Sequence, residues 1–238
     1  MERLDKTLAN AGAGTRSAVK ALLKAGRIQV NGLVEKDGSR HIDPAKDTLT
    51  LDGEPIGRPA RQVWMLNKPA GCVTATEDPG PTVMDYLPPS LRASLRPVGR
   101  LDKDTEGFLL ITNDGALAHD LLSPRKHVDK VYFAKVSGQF GENEIARFKE
   151  GLDIGNGEKS KQARLQILKA DVQESEVLIT IMEGKFHQVK RMVKAVGSEV
   201  LYLKRLSMGS LKLDEELKLG EYRRLTKAEL QELKEHRR

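Results

Sequence analysis

The segment GRLDKDTEGFLLITNDG (residues 99–115) places three acidic side chains, Asp102, Asp104 and Glu106, just before a glycine and an apolar run. Such carboxylates could bind calcium, accept a phosphoryl group or serve as an acid with another role. An EF-hand loop needs a bidentate carboxylate at its twelfth position, which here is Asn113. The residues before Asp102 do not form the apolar strand expected before a phosphatase nucleophile. The sequence therefore disfavours both a calcium-binding loop and a phosphatase nucleophile.

Asp102 could also be a structural loop acid, or an ion-pair partner of Arg100. A second segment, EGKFHQVKRMVKAVG, gives this acid a chemical context, because residues 183–209 contain six Lys or Arg and two acids, a net charge of +4. Helical spacing separates an apolar face from a basic face. The apolar face carries Val189, Met192, Val193 and Val196, and the basic face carries His187, Lys190, Arg191 and Lys194. A carboxylate could face this basic surface.

Residues 1–57 have the pattern of a small separate module. Leu4 and Leu8, and then Val19 and Leu23, recur at helical spacing. Short β-type runs follow, with hairpin turn signals at Asn31-Gly32 and Asp52-Gly53. The segment GRPARQ, residues 57–62, has the composition of a linker. The pattern predicts an α+β domain over residues 1–57.

The second predicted helix of this module carries Arg16, Lys20 and Lys24, one on every fourth residue. These cations form a stripe opposite the apolar face. Residues 1–31 hold six Lys or Arg against two acids. The stripe is either a solvated helix face or a surface that contacts phosphate groups.

From residue 58 onward the sequence is rich in short β-type runs separated by few helices. This order predicts an α+β domain with a mostly antiparallel sheet. The predicted strands are VWMLNKP, FLLIT, KVYFAKV, RLQIL, VLITIM and VLYLKRL, and the predicted helices span residues 116–122, 142–150, 186–196 and 226–236. LNKPAG (residues 66–71) is expected to form a tight turn near the site.

Composition limits the class of protein further. The formal net charge of +6 permits a polyanionic partner, and a single cysteine excludes an internal disulfide framework. The first residues lack the apolar core of a signal peptide, and no apolar run reaches the length of a membrane span. We expect a soluble, cytoplasmic protein without membrane association. Four of the five histidines, namely His119, His127, His187 and His236, have no metal-like spacing and are interpreted as structural or as facing a polyanionic partner.

Residues 2–53, with RLDKTLANAG followed by TRSAVKALLKAGRIQVNG, resemble the S4 RNA-binding domain. The resemblance implies a module that binds structured RNA. It implies backbone contacts from basic side chains, namely Arg3, Arg16, Lys20, Lys24 and Arg27.

Four ordered motifs over the rest of the chain resemble the pseudouridine synthases, most closely their RsuA branch, which also carries an N-terminal S4 domain. The motifs are LNKPAG, GRLDKDTEGFLLITNDG, DKVYFAKV (residues 129–136) and EGKFHQVKRM (residues 183–192). The resemblance implies that the chain isomerises a uridine of ribosomal RNA to pseudouridine, most simply in small-subunit (16S) RNA. A large-subunit target, or a non-catalytic S4-bearing assembly factor, is the alternative.

The resemblance also assigns roles to individual residues. Asp102 is the catalytic carboxylate, as nucleophile or as base, and Tyr132 stacks on the target base. Lys190 pairs with Asp102, with Arg191 as the open alternative, and Arg100 and Arg191 are expected to contact RNA. Along the Tyr132 strand, Val131 and Phe133 are predicted to face the core. The resemblance implies no cofactor and no metal, and we expect a monomer that acts on ribosomal RNA, free or in a partly assembled subunit.

Overall fold

The computed structural model describes residues 1–44, 46–56, 61–123 and 125–235. The chain divides into two compact units. The first comprises residues 1–61 with residues 89–95, and the second comprises residues 62–88 and the chain from residue 96 onward. The predicted boundary after residue 57, and residues 57–60 of the predicted linker (residues 57–62), lie outside the described residues.

The first unit combines three short helices with small antiparallel sheets. Its elements are β1 (Glu2–Arg3), α1 (Leu4–Asn10), α2 (Arg16–Lys24), β2 (Ile28–Val30), β3 (Leu33–Val34), β4 (His41–Ile42), β5 (Leu49–Leu51), β6 (Glu54–Pro55) and α3 (Pro89–Arg92). The strands form a sheet in the order β3-β2-β5-β6 and a separate β1-β4 pair. Asn31 and Gly32 both have positive φ, at 53° and 80°, which is the hairpin turn that the sequence predicts.

The second unit is built on one nine-stranded sheet. Its strands are β7 (Val63–Lys68), β8 (Arg96–Pro97), β9 (Glu106–Thr112), β10 (Lys130–Ser137), β11 (Arg164–Ala170), β12 (Glu174–Ile181), β13 (Val200–Met208), β14 (Leu211–Lys212) and β15 (Tyr222–Arg224). Its helices are a 3-10 turn (Val83–Tyr86), α4 (Gly115–Leu122), α5 (Glu142–Glu150), α6 (Gln188–Ala195) and α7 (Lys227–Glu235). The main order is β11-β12-β10-β13-β9-β7-β15, and β8 and β14 extend it beside β9 and β13.

Pairing in this sheet is antiparallel except between β9 and β13, which run parallel. Strand β9 lies near the middle of the sheet, and its residues 107–112 are all buried. A strand covered on both faces needs apolar side chains on both, which explains the continuous run Phe108–Ile111. Because β9 is buried, the loop over residues 98–105 is anchored at the end where it leads into this strand.

The α+β class and the mostly antiparallel sheet confirm the sequence-based prediction. One helix start differs: residues 186–196 were predicted helical, but α6 begins at Gln188. His187 adopts the left-handed conformation with φ 48°, so it belongs to the turn before the helix and not to the helix itself. Within the described ranges, no helix combines the length and the apolar character that crossing a membrane requires.

Candidate active site

The carboxylate of Asp102 lies in the loop between β8 and β9, on the wall of a cavity of about 380 Å³. Its side chain is 26% exposed, so it is neither sealed in the interior nor fully solvated. Arg100, Lys103 and Lys185 also line this cavity. An acid is therefore accessible from solvent inside a basic recess.

The loop that carries Asp102 is fixed by a buried ammonium group from β7. The Nζ of Lys68, which has three N–H donors, lies within hydrogen-bond distance of four backbone carbonyls, those of Pro69 (3.0 Å), Asp102 (3.1 Å), Lys103 (3.4 Å) and Thr105 (2.8 Å). Lys68 has no exposed surface, and burial lowers the pKa of its ammonium below the ordinary value. The sequence predicted only a tight turn here, because nothing in LNKPAG shows where the lysine points.

Two further contacts hold the same loop. The N–H of Gly71 donates to the carbonyl of Lys103 at 2.7 Å. The hydroxyl of Thr74 donates to the carbonyl of Leu101 at 2.8 Å and accepts from its N–H at 3.1 Å. Asp102 is therefore presented from a backbone held on both sides, which favours a single orientation of its carboxylate.

Lys190 on α6 is the cation that contacts the acidic loop. Its Nζ lies 3.2 Å from Oδ2 of Asp102 and 2.5 Å from Oδ1 of Asp104. Burial acts against the charge of Lys190, but the hydrogen bonds to the two carboxylates outweigh it and raise the pKa of the ammonium. Burial likewise acts to raise the pKa of Asp104, but the bond from Lys190 holds it below the ordinary value. Sequence reasoning did not anticipate that Asp104 shares this cation.

His187 also reaches the loop between β8 and β9 that carries Asp102, here called the catalytic loop. Its Nε2 lies 3.6 Å from Oδ1 of Asp102, whereas Lys190 approaches the other carboxylate oxygen, Oδ2. Helical spacing placed His187 on the basic face. Its left-handed backbone instead takes it out of that helical pattern. No sequence signal identified this proximity.

Tyr132 lies on β10 at the level of the sheet where the catalytic loop enters β9. Tyr132 pairs with Arg205 on β13, and Arg205 pairs with Gly107 on β9. Two strand spacings, about 10 Å, therefore separate Tyr132 from Gly107 along the sheet. Arg205 is 2% exposed and donates from Nε to the carbonyl of Phe108 at 2.8 Å.

The prediction for the two faces of β10 was wrong. Tyr132 is 7% exposed and shares the buried face with Ala134 and Val136, whereas Val131 and Phe133 are only half-buried. Both faces of this strand carry apolar side chains, so alternation alone cannot tell which one is covered. The buried face also holds Lys130, whose pKa is lowered to about 8 by burial and by the nearby charge of Arg205.

The predicted RNA-contacting cations fall into two groups. Arg16, Lys20 and Lys24 are exposed on α2, opposite the buried Val19 and Leu23. In the second group, two arginines pair with acids and the third lies on the cavity wall. Arg3 pairs with Asp5, Arg27 pairs with Asp52, and Arg100 is exposed on the cavity wall.

Arg191 is placed differently from its prediction. Its guanidinium donates to Glu158 (2.7 Å) and to the carbonyls of Ile154 (2.8 Å), Gly155 (2.8 Å) and Phe186 (3.2 Å). Its side chain is 16% exposed. With its donors used inside the protein, Arg191 clamps a loop and is not presented as a phosphate contact. Of the two candidates for pairing with Asp102, Lys190 makes the contact.

The carboxylates do not form a metal site. Across residues 1–44, 46–56, 61–123 and 125–235, no group of three or more His, Cys, Asp or Glu side chains is arranged to hold a metal ion. The arrangement that is present, an accessible carboxylate held beside an ammonium, suits attack on a sugar carbon or removal of a sugar proton.

Comparison with known proteins gives matches over both parts of the chain. Residues 62–195 match the family model described as RNA pseudouridylate synthase, and residues 2–48 match that of the S4 domain. An uncharacterized RNA pseudouridine synthase, YtzG, of Bacillus subtilis is 50% identical over 98% of each chain. Ribosomal small subunit pseudouridine synthase A of Yersinia pestis is 39% identical over 96% of each chain. A crystal structure of a pseudouridylate synthase superposes with a TM-score of 0.71 at 37% identity, covering 98% of this chain and all of the other.

Proposed function

Because the chain belongs to the RNA pseudouridylate synthase family and carries an S4 domain, we propose that it converts one uridine of small-subunit ribosomal RNA to pseudouridine. The target is proposed from the Yersinia pestis relative, whose name specifies the small ribosomal subunit. We further propose that it acts in the cytoplasm as a monomer.

The reaction is an isomerisation, so no atom is gained or lost overall. The bond between ribose C1′ and uracil N1 breaks, the base turns, and a bond forms between C1′ and C5. The proton on C5 is released and N1 gains one. The protein must therefore stabilise a detached base and an electron-poor sugar while both stay in the site.

The observation that supports this chemistry is the contact, at 3.2 Å, of Lys190 with Asp102, which lines the cavity. Phosphate groups of bound RNA disfavour an ionised carboxylate, and an adjacent ammonium counteracts them. Asp102 then acts as an anion, either by adding to C1′ or by taking a proton from the ribose. Tyr132 is proposed to stack on the extruded uracil, since a flipped base needs a surface in place of its neighbours.

The enzymatic proposal is tested by Asp102→Asn, which keeps the size of the side chain and removes its charge. The variant should bind RNA within about twofold of wild type and form no product, because an amide neither adds to C1′ nor takes a proton. Tritium release from the C5 position of uridine in small-subunit RNA measures the reaction. Asp171→Asn, in an exposed turn, is the matched control and should keep full activity. Product formation by Asp102→Asn at the wild-type rate would refute the role of Asp102.

We propose that residues 1–57 dock structured RNA and that residues 58–238 hold the catalytic site. The exposed stripe of Arg16, Lys20 and Lys24 supports the docking role, since cations at helical spacing suit a phosphate backbone. Replacing all three with alanine should reduce the slope of log affinity against log salt by about 2–3. Lys149→Ala, at the exposed end of α5, is the control for a lost surface charge. An unchanged slope in the triple variant would contradict docking through this helix.

A further inference from the structure

An exposed aromatic ring lies at the wall of the Asp102 cavity. Phe186 is 67% exposed and lines that cavity, whereas the other four phenylalanines of the chain are buried or half-buried. Exposing so large an apolar side chain forgoes the free energy that burial would give it. Its position beside the reactive carboxylate, and not on a remote surface, points to a role in holding substrate.

Phe186 continues a stack that starts at the catalytic loop. Its ring is stacked on the imidazole of His187, with centroids 3.8 Å apart and an angle of 17° between the planes. The same imidazole reaches Asp102 through Nε2 at 3.6 Å. Carboxylate, imidazole and phenyl ring therefore follow one another outward, and the phenyl ring is the member with most of its surface open to solvent.

The turn that carries the two rings is held by buried polar contacts. Gln188, 4% exposed, accepts from the N–H of Lys185 at 2.8 Å and donates to Glu183 at 2.7 Å. Arg191 donates to the carbonyl of Phe186 at 3.2 Å. A ring on a fixed backbone loses little conformational freedom when a flat partner stacks on it, so the geometry is suited to binding.

The charge around the ring selects the kind of flat partner. Three cations, Arg100, Lys103 and Lys185, line the same cavity against two acids, Asp78 and Asp102, and this excess of positive charge favours a ligand that combines planar rings with negative charge. Unpaired RNA has both properties, because its bases offer π-faces and its backbone carries phosphates.

We propose that Phe186, backed by His187, is a stacking platform for an unpaired nucleobase adjacent to the target uridine. This inference rests on the proposed function. Extruding the uridine leaves its neighbour with one face uncovered, and the phenyl ring supplies a replacement surface. Since stacking accepts any base, the platform fixes the path of the strand and does not read its sequence. It is distinct from Tyr132, which is assigned to the target base itself.

A coupling experiment between protein and RNA tests the platform. Binding is measured with the full-length Asp102→Asn protein, alone and combined with Phe186→Ala, on an RNA oligonucleotide that spans the modified uridine. Matched oligonucleotides lack the base at the target or at one of the nucleotides on either side. Phe186→Ala should weaken binding of the intact RNA by about five- to 150-fold, the range for one base on one aromatic ring. It should have no effect on the RNA that lacks the stacked neighbour.

Substitutions at the same position separate stacking from simple apolar contact. Phe186→Trp should bind at least as tightly as the parent protein, whereas Phe186→Leu should resemble Phe186→Ala. Val172→Ala, which truncates an exposed apolar side chain in the turn between β11 and β12, should have no effect. Equal affinity for the leucine variant and the parent would overturn the stacking role, and so would coupling to the target position in place of a neighbour.

The outcome is separable from the proposed function. Pseudouridine formation by the protein with native Asp102 on the intact oligonucleotide establishes the reaction whatever Phe186 does. If that reaction occurs and no flanking position couples to Phe186, only the platform is refuted. If the reaction occurs neither on the oligonucleotide nor on small-subunit RNA, free or in a partly assembled subunit, the proposed function is wrong regardless of the binding results.

Discussion

Replacing the buried Lys68 with methionine should detach the catalytic loop from the sheet. Methionine has a similar volume, so the substitution removes the donor without opening a large cavity. The ammonium has no exposed surface and shares its three N–H donors among four carbonyls, including those of Asp102 and Thr105. The expected effect is therefore loss of polar contacts and not loss of packing.

The size of the stability loss depends on which hydrogen bonds the four carbonyls keep after the substitution. The Asp102 carbonyl still accepts from the N–H of Thr105 at 3.1 Å. The Lys103 carbonyl still accepts from the N–H of Gly71 at 2.7 Å. The Thr105 carbonyl loses a fully buried bond of 2.8 Å, at a cost of about 1–3 kcal/mol, and each other weakened contact adds less. Relief of the buried charge of Lys68 offsets part of this, so we expect a net loss of about 2–4 kcal/mol.

The chain contains a single tryptophan, Trp64, which lies on the same strand as Lys68 and donates to the side chain of Gln62 at 3.0 Å. Its fluorescence therefore reports unfolding of the unit that holds the site. For a unit of this size the expected loss of stability lowers the melting temperature by roughly 4–16 °C. The kcat should fall about tenfold or more, because a displaced Asp102 no longer meets the ribose in a reactive geometry.

Lys103→Met is the matched control, since Lys103 is an exposed lysine of the same loop. It removes the same formal charge from the neighbourhood of Asp102 but no buried donor. If Lys68→Met melts at the same temperature as Lys103→Met and keeps the same kcat, the ammonium of Lys68 does not hold the loop and the reasoning fails.

Two further predictions concern the sheet beneath the site. The pKa of Lys130 is lowered from 10.5 to about 8, so between these pH values the unfolded chain binds more protons than the folded one and stability rises with pH. Lys130→Met should flatten that rise and gain up to about 3 kcal/mol at pH 7, and urea unfolding that shows the wild-type slope in the variant would contradict this. Gly107→Ala should cost about 3 kcal/mol or more, because φ is +99° and the added carbon would meet the backbone carbonyl of Arg205. Gly138→Ala, at φ +79° with open space around it, should cost only about 1 kcal/mol, and equal losses in thermal melts would remove the contact with Arg205 as the cause.

The local pattern of the chain was enough to predict most of the elements. Helix α5 spans the predicted residues 142–150, and the Asn31-Gly32 turn joins its two strands as expected. These elements depend on interactions between residues close in sequence, such as apolar spacing and backbone conformation at glycine, which a single sequence displays directly. The start of α6 was misjudged because the left-handed backbone of His187 is a feature of the turn before it, and helical spacing does not show it.

The candidate site divides in the same way. Motif resemblance singled out Asp102, Tyr132 and Lys190, and it left Lys190 and Arg191 as alternatives for the partner of the acid. The two are neighbours in sequence, so no spacing argument separates them. In the fold, one turn of α6 directs Lys190 to the carboxylate and Arg191 to Glu158 and nearby carbonyls.

By itself, then, the sequence determined the class of fold, the order of the elements and the side chains able to do the chemistry, because these depend on residue type and short-range spacing. Tertiary structure alone decided that Lys68 turns inward beneath the loop, that His187 approaches Asp102, and that Phe186 stays in solvent. The contacts of Lys68 and His187 with the Asp102 loop join residues far apart in the chain. Their distances depend on how the sheet pairs and twists, which is a property of the whole fold and not of any one segment.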